Sequence, residues 1–247
     1  MSQESRVGKF AYSPYKTSLC VQYKKLYLAY GAGILVSYKG TNSSSGTPNH
    51  SLMGLEMMRD LPELKEALLL WAIEKEGYLG RYTLVSILEL PDGITRGLLT
   101  RMARSGYIRT KKFVGSTLTR KGMIRLNELL SRFKIREIAD IDAGDLSLAP
   151  VSVAAHIRGR ATWVHSGIEQ RDAAIKSGAA GAITMIYQNG KLLLPPTGFD
   201  VSKKNHTVTA RLNQRFQLSE GDVLVIGSAN SRWRAAEGVL RAAETLR

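Results

Sequence analysis

DGITRGLLTRMARSGYIRTKKFVGSTLTRKG, Asp92 to Gly122, carries eight Lys or Arg residues and a single acid, Asp92, yet keeps enough apolar residues to fold. Its first half reads as a helix, with Ile94, Leu98, Leu99 and Met102 expected on one face. Arg96, Thr100 and Ala103 fall opposite, with Thr95, Arg101 and Arg104 on the flanks. Gly106 is placed to end that helix. Beyond it YIRTKKF has strand character, VGS offers a turn, and TLT resumes a short strand. Thr119 is then a cap for a helix through Phe133, whose apolar positions are Met123, Leu126, Leu129 and Leu130.

Upstream, DLPELKEALLLWAIEKEG reads as a helix with Asp60 as N-cap and Pro62 in the first turn. Leu64, Leu68, Trp71 and Ala72 make its apolar stripe, and Gly77 stops it. RYTLVSILEL is a shorter helix with Leu84, Ile87 and Leu88 inward, broken at Pro91-Asp92-Gly93. Helix, helix, tight turn, helix, two-stranded hairpin, helix is the order of a winged helix–turn–helix.

The stretch from GRYTLVSIL through GITRGLLTRMARSGYI to LTRKG resembles winged-helix transcriptional regulators of the MarR/PadR type. In particular it is similar to an archaeal group in which such a domain precedes an α/β domain of unknown function. The resemblance covers residues 60–133 well and 150–247 more loosely, and it rests on the order and spacing of short motifs. It implies double-stranded DNA as partner, a homodimer, and a small-molecule effector acting on the C-terminal domain. Arg96 is the first candidate for a base contact, because guanidinium can bond guanine O6 and N7 bidentately. Thr95 and Thr100 are secondary candidates. Arg101, Arg104, Lys111, Lys112 and Lys121 are placed as phosphate contacts, which position a protein without reading sequence.

Charge distribution supports that assignment. The chain of 247 residues has a net charge of +14. Residues 94–136 hold twelve basic residues and one acid, Glu128, while residues 53–93 hold four basic and eight acidic residues. Diffuse solubilising charge would not be segregated in this way. The single cysteine, Cys20, excludes an intramolecular disulfide and a cysteine-built zinc site. The longest apolar run, Leu26 to Tyr38, would make a helix of about 20 Å, short of a bilayer core of about 30 Å. A cytoplasmic protein with no membrane association is expected.

Residues 1–56 read as a poorly ordered basic extension, and Met53, Met57 or Met58 could serve as the start. The winged helix–turn–helix domain is expected over 57–136, a linker over 137–149, and an α+β effector or dimerisation domain over 150–247. In that last domain VSVAAHI, the strands about Asn189-Gly190, HTVTARL and EGDVLVIG read as strands. GIEQRDAAIKSGA reads as a helix closed by Gly178, and SRWRAAEGVLRAAETL as a final helix capped by Asn230 or Ser231. The whole is an α+β protein, a winged helix–turn–helix domain followed by a sheet-and-helix domain.

No nucleophile elbow, P-loop or dinucleotide glycine pattern occurs, so neither catalysis nor a cofactor is expected. His165 and Glu169, four apart, do not make a metal site by themselves. The GSANSRW junction reads first as a plain strand-to-helix turn. Its second reading is an anion pocket using Gly227, Ser228 and Asn230, with Arg158, Arg160 and Arg171 adding charge. Two other functions fit the same features: an enzyme carrying a regulatory winged helix, or an adaptor docking RNA or an acidic protein.

Overall fold

The first described helix, α1 (His50–Glu76), is apolar on every side from Leu64 to Ile73 apart from Lys65 and Glu66, and that stretch is buried throughout except for Lys65. A helix buried all round needs neighbours all round. The structure, a computed structural model, describes residues 50–246, with side chains from residue 63 onward. The expected extension over 1–56 therefore lies largely outside the described residues, as do the side chains of Asp60 and Pro62. The expected helix start at Asp60 is displaced: the helix is already under way at His50.

Helices α2 (Arg81–Leu88) and α3 (Asp92–Arg104) follow, then a hairpin of β1 (Ile108–Lys111) and β2 (Gly115–Leu118), then α4 (Arg120–Arg132). Leu79 exchanges both backbone hydrogen bonds with Ser116, at 3.0 and 2.8 Å, so the segment between α1 and α2 adds a third, one-residue rung to the hairpin.

From Ile135 onward the chain builds a six-stranded antiparallel sheet, ordered β3 (Ile135–Ile141), β4 (Val151–Ile157), β8 (Val223–Ala229), β5 (Gly181–Gln188), β6 (Lys191–Leu194), β7 (Phe199–Asp200). Helix α5 (Ile168–Lys176) carries the chain from β4 to β5, and β8 fills the gap between them. Helix α6 (His206–Phe216) precedes β8, and α7 (Arg232–Glu244) follows it. Seven helices and two antiparallel sheets make the described residues a mixed α+β fold.

Two expectations are corrected here. Residues 137–149 do not form a linker: β3 pairs with β4 as the edge of the sheet, and only the residues after Ile141 connect them. HTVTARL is not a strand but the first two turns of α6, with Val208, Thr209, Leu212 and Phe216 inward.

The sheet is covered on both faces. Val153, Ala155, Ile157, Val223 and Val225 join the core beneath α5 and α7. Side chains on the alternate face include His156, whose ring meets Phe216 of α6 edge-on at 6.3 Å. Double coverage explains why Ser152–Ile157 and all of β8 are buried without alternation. Gly227 lets α7 approach, since a Cβ there would lie 2.8 Å from Val239 Cγ1 and 2.9 Å from the Ala235 carbonyl oxygen.

The helical half docks on the sheet half through α1 and α7. Trp71 and Trp233 meet edge to face at 5.7 Å. Lys65, nearly buried, donates to the Leu88 carbonyl at 2.7 Å and pairs with Glu237 of α7 at 2.8 Å. Arg232 bridges Glu76 and Asp140, and Arg234 pairs with Glu89. No described helix is long and apolar enough to cross a membrane.

Candidate nucleic-acid interface

Helix α3 presses Thr95, Leu98 and Met102 into the core and leaves its opposite face open. Arg96, Gly97, Thr100, Arg101 and Arg104 line a shallow groove of about 620 Å³ along that face. This brings together four of the predicted side chains. It also removes one: Thr95 is fully buried, its hydroxyl 3.5 Å from the Leu90 carbonyl, so it offers nothing to a ligand. The helix is rolled relative to the expected face, with Thr95 inward and Ile94 57% exposed.

The hairpin projects beside this helix. Lys111, Lys112 and Phe113 form its tip, and Phe113 is 96% exposed in a left-handed backbone conformation with φ of 66°. Lys112 Nζ lies 5.0 Å over the Phe113 ring. The Thr110 and Ser116 hydroxyls are 3.0 Å apart across the strands, and the Leu79 rung anchors the base.

The LTRKG segment acts as a structural knot. Thr119 Oγ1 donates to the carbonyls of Gly106 and Tyr107 at 2.7 and 3.0 Å and accepts from the Gly122 N–H at 3.0 Å. One hydroxyl thus ties the end of α3, the start of the hairpin and the first turn of α4. Gly122 is required by space: a Cβ there would lie 2.0 Å from the Tyr107 carbonyl oxygen. Lys121 Nζ sits 5.5 Å over the Tyr107 ring, and its Cδ lies 3.9 Å from the direction a Gly106 side chain would take, beside the end of α3.

Of the twelve cations in 94–136, three meet acids. Arg125 bonds Glu66 at 2.8 Å, Arg101 approaches the same carboxylate at 3.9 Å, and Arg132 pairs with Glu63. The hydrogen bond to Glu66, only partly offset by burial, holds the Arg125 guanidinium above its ordinary value. Arg125 is a packing cation. Arg96, Arg104, Arg109, Lys111, Lys112, Arg120 and Lys121 are exposed with no acidic partner within 4.0 Å among the described residues. Arg109 and Arg120 belong to this set but were not singled out from sequence. Their signal was membership in the basic run, without a helix-face argument to pick them.

The second predicted site does not assemble. Gly227 and Ser228 are buried within β8, and Ser228 Oγ is engaged by Ser152 Oγ at 2.9 Å and the Leu148 N–H at 3.1 Å. Arg158 and Arg160 follow the opposite end of β4, Arg158 being six residues from the Ser152 that pairs with Ser228, about 20 Å of strand, and Arg160 two residues further on. Arg171 is bound to its neighbour Asp172 at 2.8 Å. Ser231 caps α7 by accepting from the Arg234 N–H at 3.3 Å, leaving Asn230 exposed at the turn. The plain strand-to-helix turn is the structure found.

A buried polar pair also assembles inside the sheet half, His156 with Asp222 at 2.6 Å. Asp222 also accepts from the N–H groups of Gly159 and Ser219 at 3.0 and 2.9 Å. Burial pushes its carboxyl up, but the Ser219 N–H, His156 and the Gly159 N–H outweigh that and hold it below the usual carboxylate range.

A family model described as a domain of unknown function (DUF4443) matches residues 148–246, which run from just before β4 to the end of α7. The chain is similar in fold to a solved structure described as hypothetical protein PH0730 from Pyrococcus horikoshii OT3. The identity is 24% and the TM-score 0.56, covering 74% of this chain and 91% of that one. No curated protein matches. The family model thus covers the C-terminal part of the given sequence, and the solved structure shows a likeness of fold.

Proposed function

We propose that the chain is a DNA-binding transcriptional regulator of winged helix–turn–helix type, working as a homodimer and modulated through its C-terminal half. One observation carries this reading: the outer face of α3, with Arg96, Thr100, Arg101 and Arg104, is open beside a hairpin tipped by Lys111 and Lys112. A major groove about 12 Å wide admits one α-helix, and α3 presents an open face whose Arg96 and Arg104 have no acidic partner among the described residues. In this assignment α3 enters the groove, Arg96 and Thr100 reach base edges, and Arg101, Arg104 and Lys121 hold phosphates. The hairpin reaches the backbone alongside, where Arg109, Lys111 and Lys112 add phosphate contacts. No catalytic step is assigned.

With Thr95 turned inward, Thr100 and Arg104 lie nearest the centre of the open face and Arg96 toward one side of it, while Gly93 and Gly97 leave room for a groove wall. Dimerisation follows from the two-fold sites such modules occupy, with half-sites about 34 Å apart.

Salt dependence of duplex binding tests the proposal. With six phosphates neutralised, log K against log salt has a slope of about −5, from roughly 0.9 per phosphate. A slope near zero would remove it.

A further inference from the structure

A second cationic cluster lies at the other end of α4. Lys134, Arg136, Arg158 and Arg160 line a cleft of about 880 Å³, faced by Asn127 and Ser131 of α4. None of the four cations has an acidic partner within 4.0 Å among the described residues. Elsewhere on the sheet half, arginines do find acids: Arg211 with Asp142, Arg215 with Glu137, and Arg232 with Asp140.

The backbone is specially shaped to bring these four together. Lys134 sits in the left-handed region, φ 58°, at the turn from α4 into β3. Its carbonyl accepts from the Arg158 N–H at 2.9 Å, which joins the two walls. Arg136 is the extra residue where the β3–β4 register shifts between Ile135 and Glu137, a bulge of the kind that redirects a side chain. Arg158 and Arg160 flank Gly159, whose N–H is held by Asp222 at 3.0 Å, and Arg160 stacks over Trp163 at 5.0 Å. Two α4 carbonyls that would repel an anion here are already occupied: Leu130 and Ser131 accept from the N–H groups of Phe133 and Lys134, each at 3.0 Å.

We infer that this cleft is a binding site for a small polyanion, a molecule bearing at least two phosphate groups. Its volume falls within the range of about 300–1,000 Å³ found for small-molecule sites. Two or three guanidinium groups converging on one concave surface match phosphate oxygens, which they bond in bidentate fashion. The cleft does not continue the α3 surface. Along α4 about seven residues, roughly 10 Å, separate the hairpin base from Asn127 at the near edge of the cleft, and exposed Met123 and Ile124 interrupt the cationic track there. The inference is independent of the DNA-binding proposal.

Calorimetric titration of the full chain with inorganic pyrophosphate, at low ionic strength, tests it. One site is expected. Arg136→Gln with Arg158→Gln should weaken binding on the order of tenfold or more, the scale of lost charge-assisted hydrogen bonds. Ser131→Asp, which places a negative charge on the facing wall, should do the same and decides the matter if the double variant fails to fold. Lys111→Ala with Lys112→Ala should leave pyrophosphate binding unchanged. Absence of pyrophosphate binding overturns the inference, as does an equal loss in the hairpin variant. If pyrophosphate does not bind and the cleft variants weaken duplex DNA as much as the hairpin variant does, the cleft belongs to a DNA track instead. Duplex salt dependence is read separately, so either proposal can fail without the other.

Discussion

Arg96 and Thr95 are neighbours with opposite fates, and the difference is about a hundred degrees of helix. Thr95 is fully buried against Leu90, while Arg96 stands on the open face. Arg96→Ala is therefore expected to cost on the order of 1–3 kcal/mol on a cognate operator and little on random duplex. Competition binding on the two DNAs measures this, and equal losses would demote Arg96 to a backbone contact. Asp222 contributes acid sensitivity to the sheet half. Its carboxyl is depressed in the folded state, so its contribution is fully present above the unfolded value near 4 and is lost as pH falls through the lower folded value. Asp222→Asn should lower stability by about 1–3 kcal/mol at neutral pH, because hydrogen bonds to a charged acceptor are replaced by weaker ones. The gap from the native chain should then narrow below about pH 4. Urea midpoints across that window would show it, and a gap constant with pH would reject the assignment.

At the scale of elements, Lys65 holds three helices at once, reaching from α1 to the Leu88 carbonyl of α2 and to Glu237 of α7. Lys65→Met strands a buried carboxylate and should cost about 3–5 kcal/mol, whereas adding Glu237→Leu should recover much of it. Equilibrium unfolding of both variants checks this; an equally unstable double variant would mean that the pair itself is worth having. Local misreadings also have causes at this scale. HTVTARL has the β-branched residues of a strand, but extending the window to Phe216 shows Val208, Leu212 and Phe216 at helical spacing. KIREIADI lacked a strand period because the bulge at Arg136 spaces the inward Ile135 and Ile138 by three.

At the scale of the molecule, the two halves are packed against each other rather than tethered. Helix α1 packs both on its own half and on α7, and Leu64–Ile73 are buried apart from Lys65. Segregated charge, helix periods, the Thr119 cap and the turn at Asn189-Gly190 were legible in the chain because each depends on residues a few positions apart. The inward roll of α3, the fate of Ser228, the bulge at Arg136 and the meeting of Lys134 with Arg158 depend on strand register and helix docking across long separations. Composition and local spacing by themselves determined that this protein would carry a basic helix–hairpin–helix segment ahead of a sheet-rich half. Only tertiary packing decided which of its cations are neutralised and which stand free, because an ion pair is set by distance in space rather than along the chain.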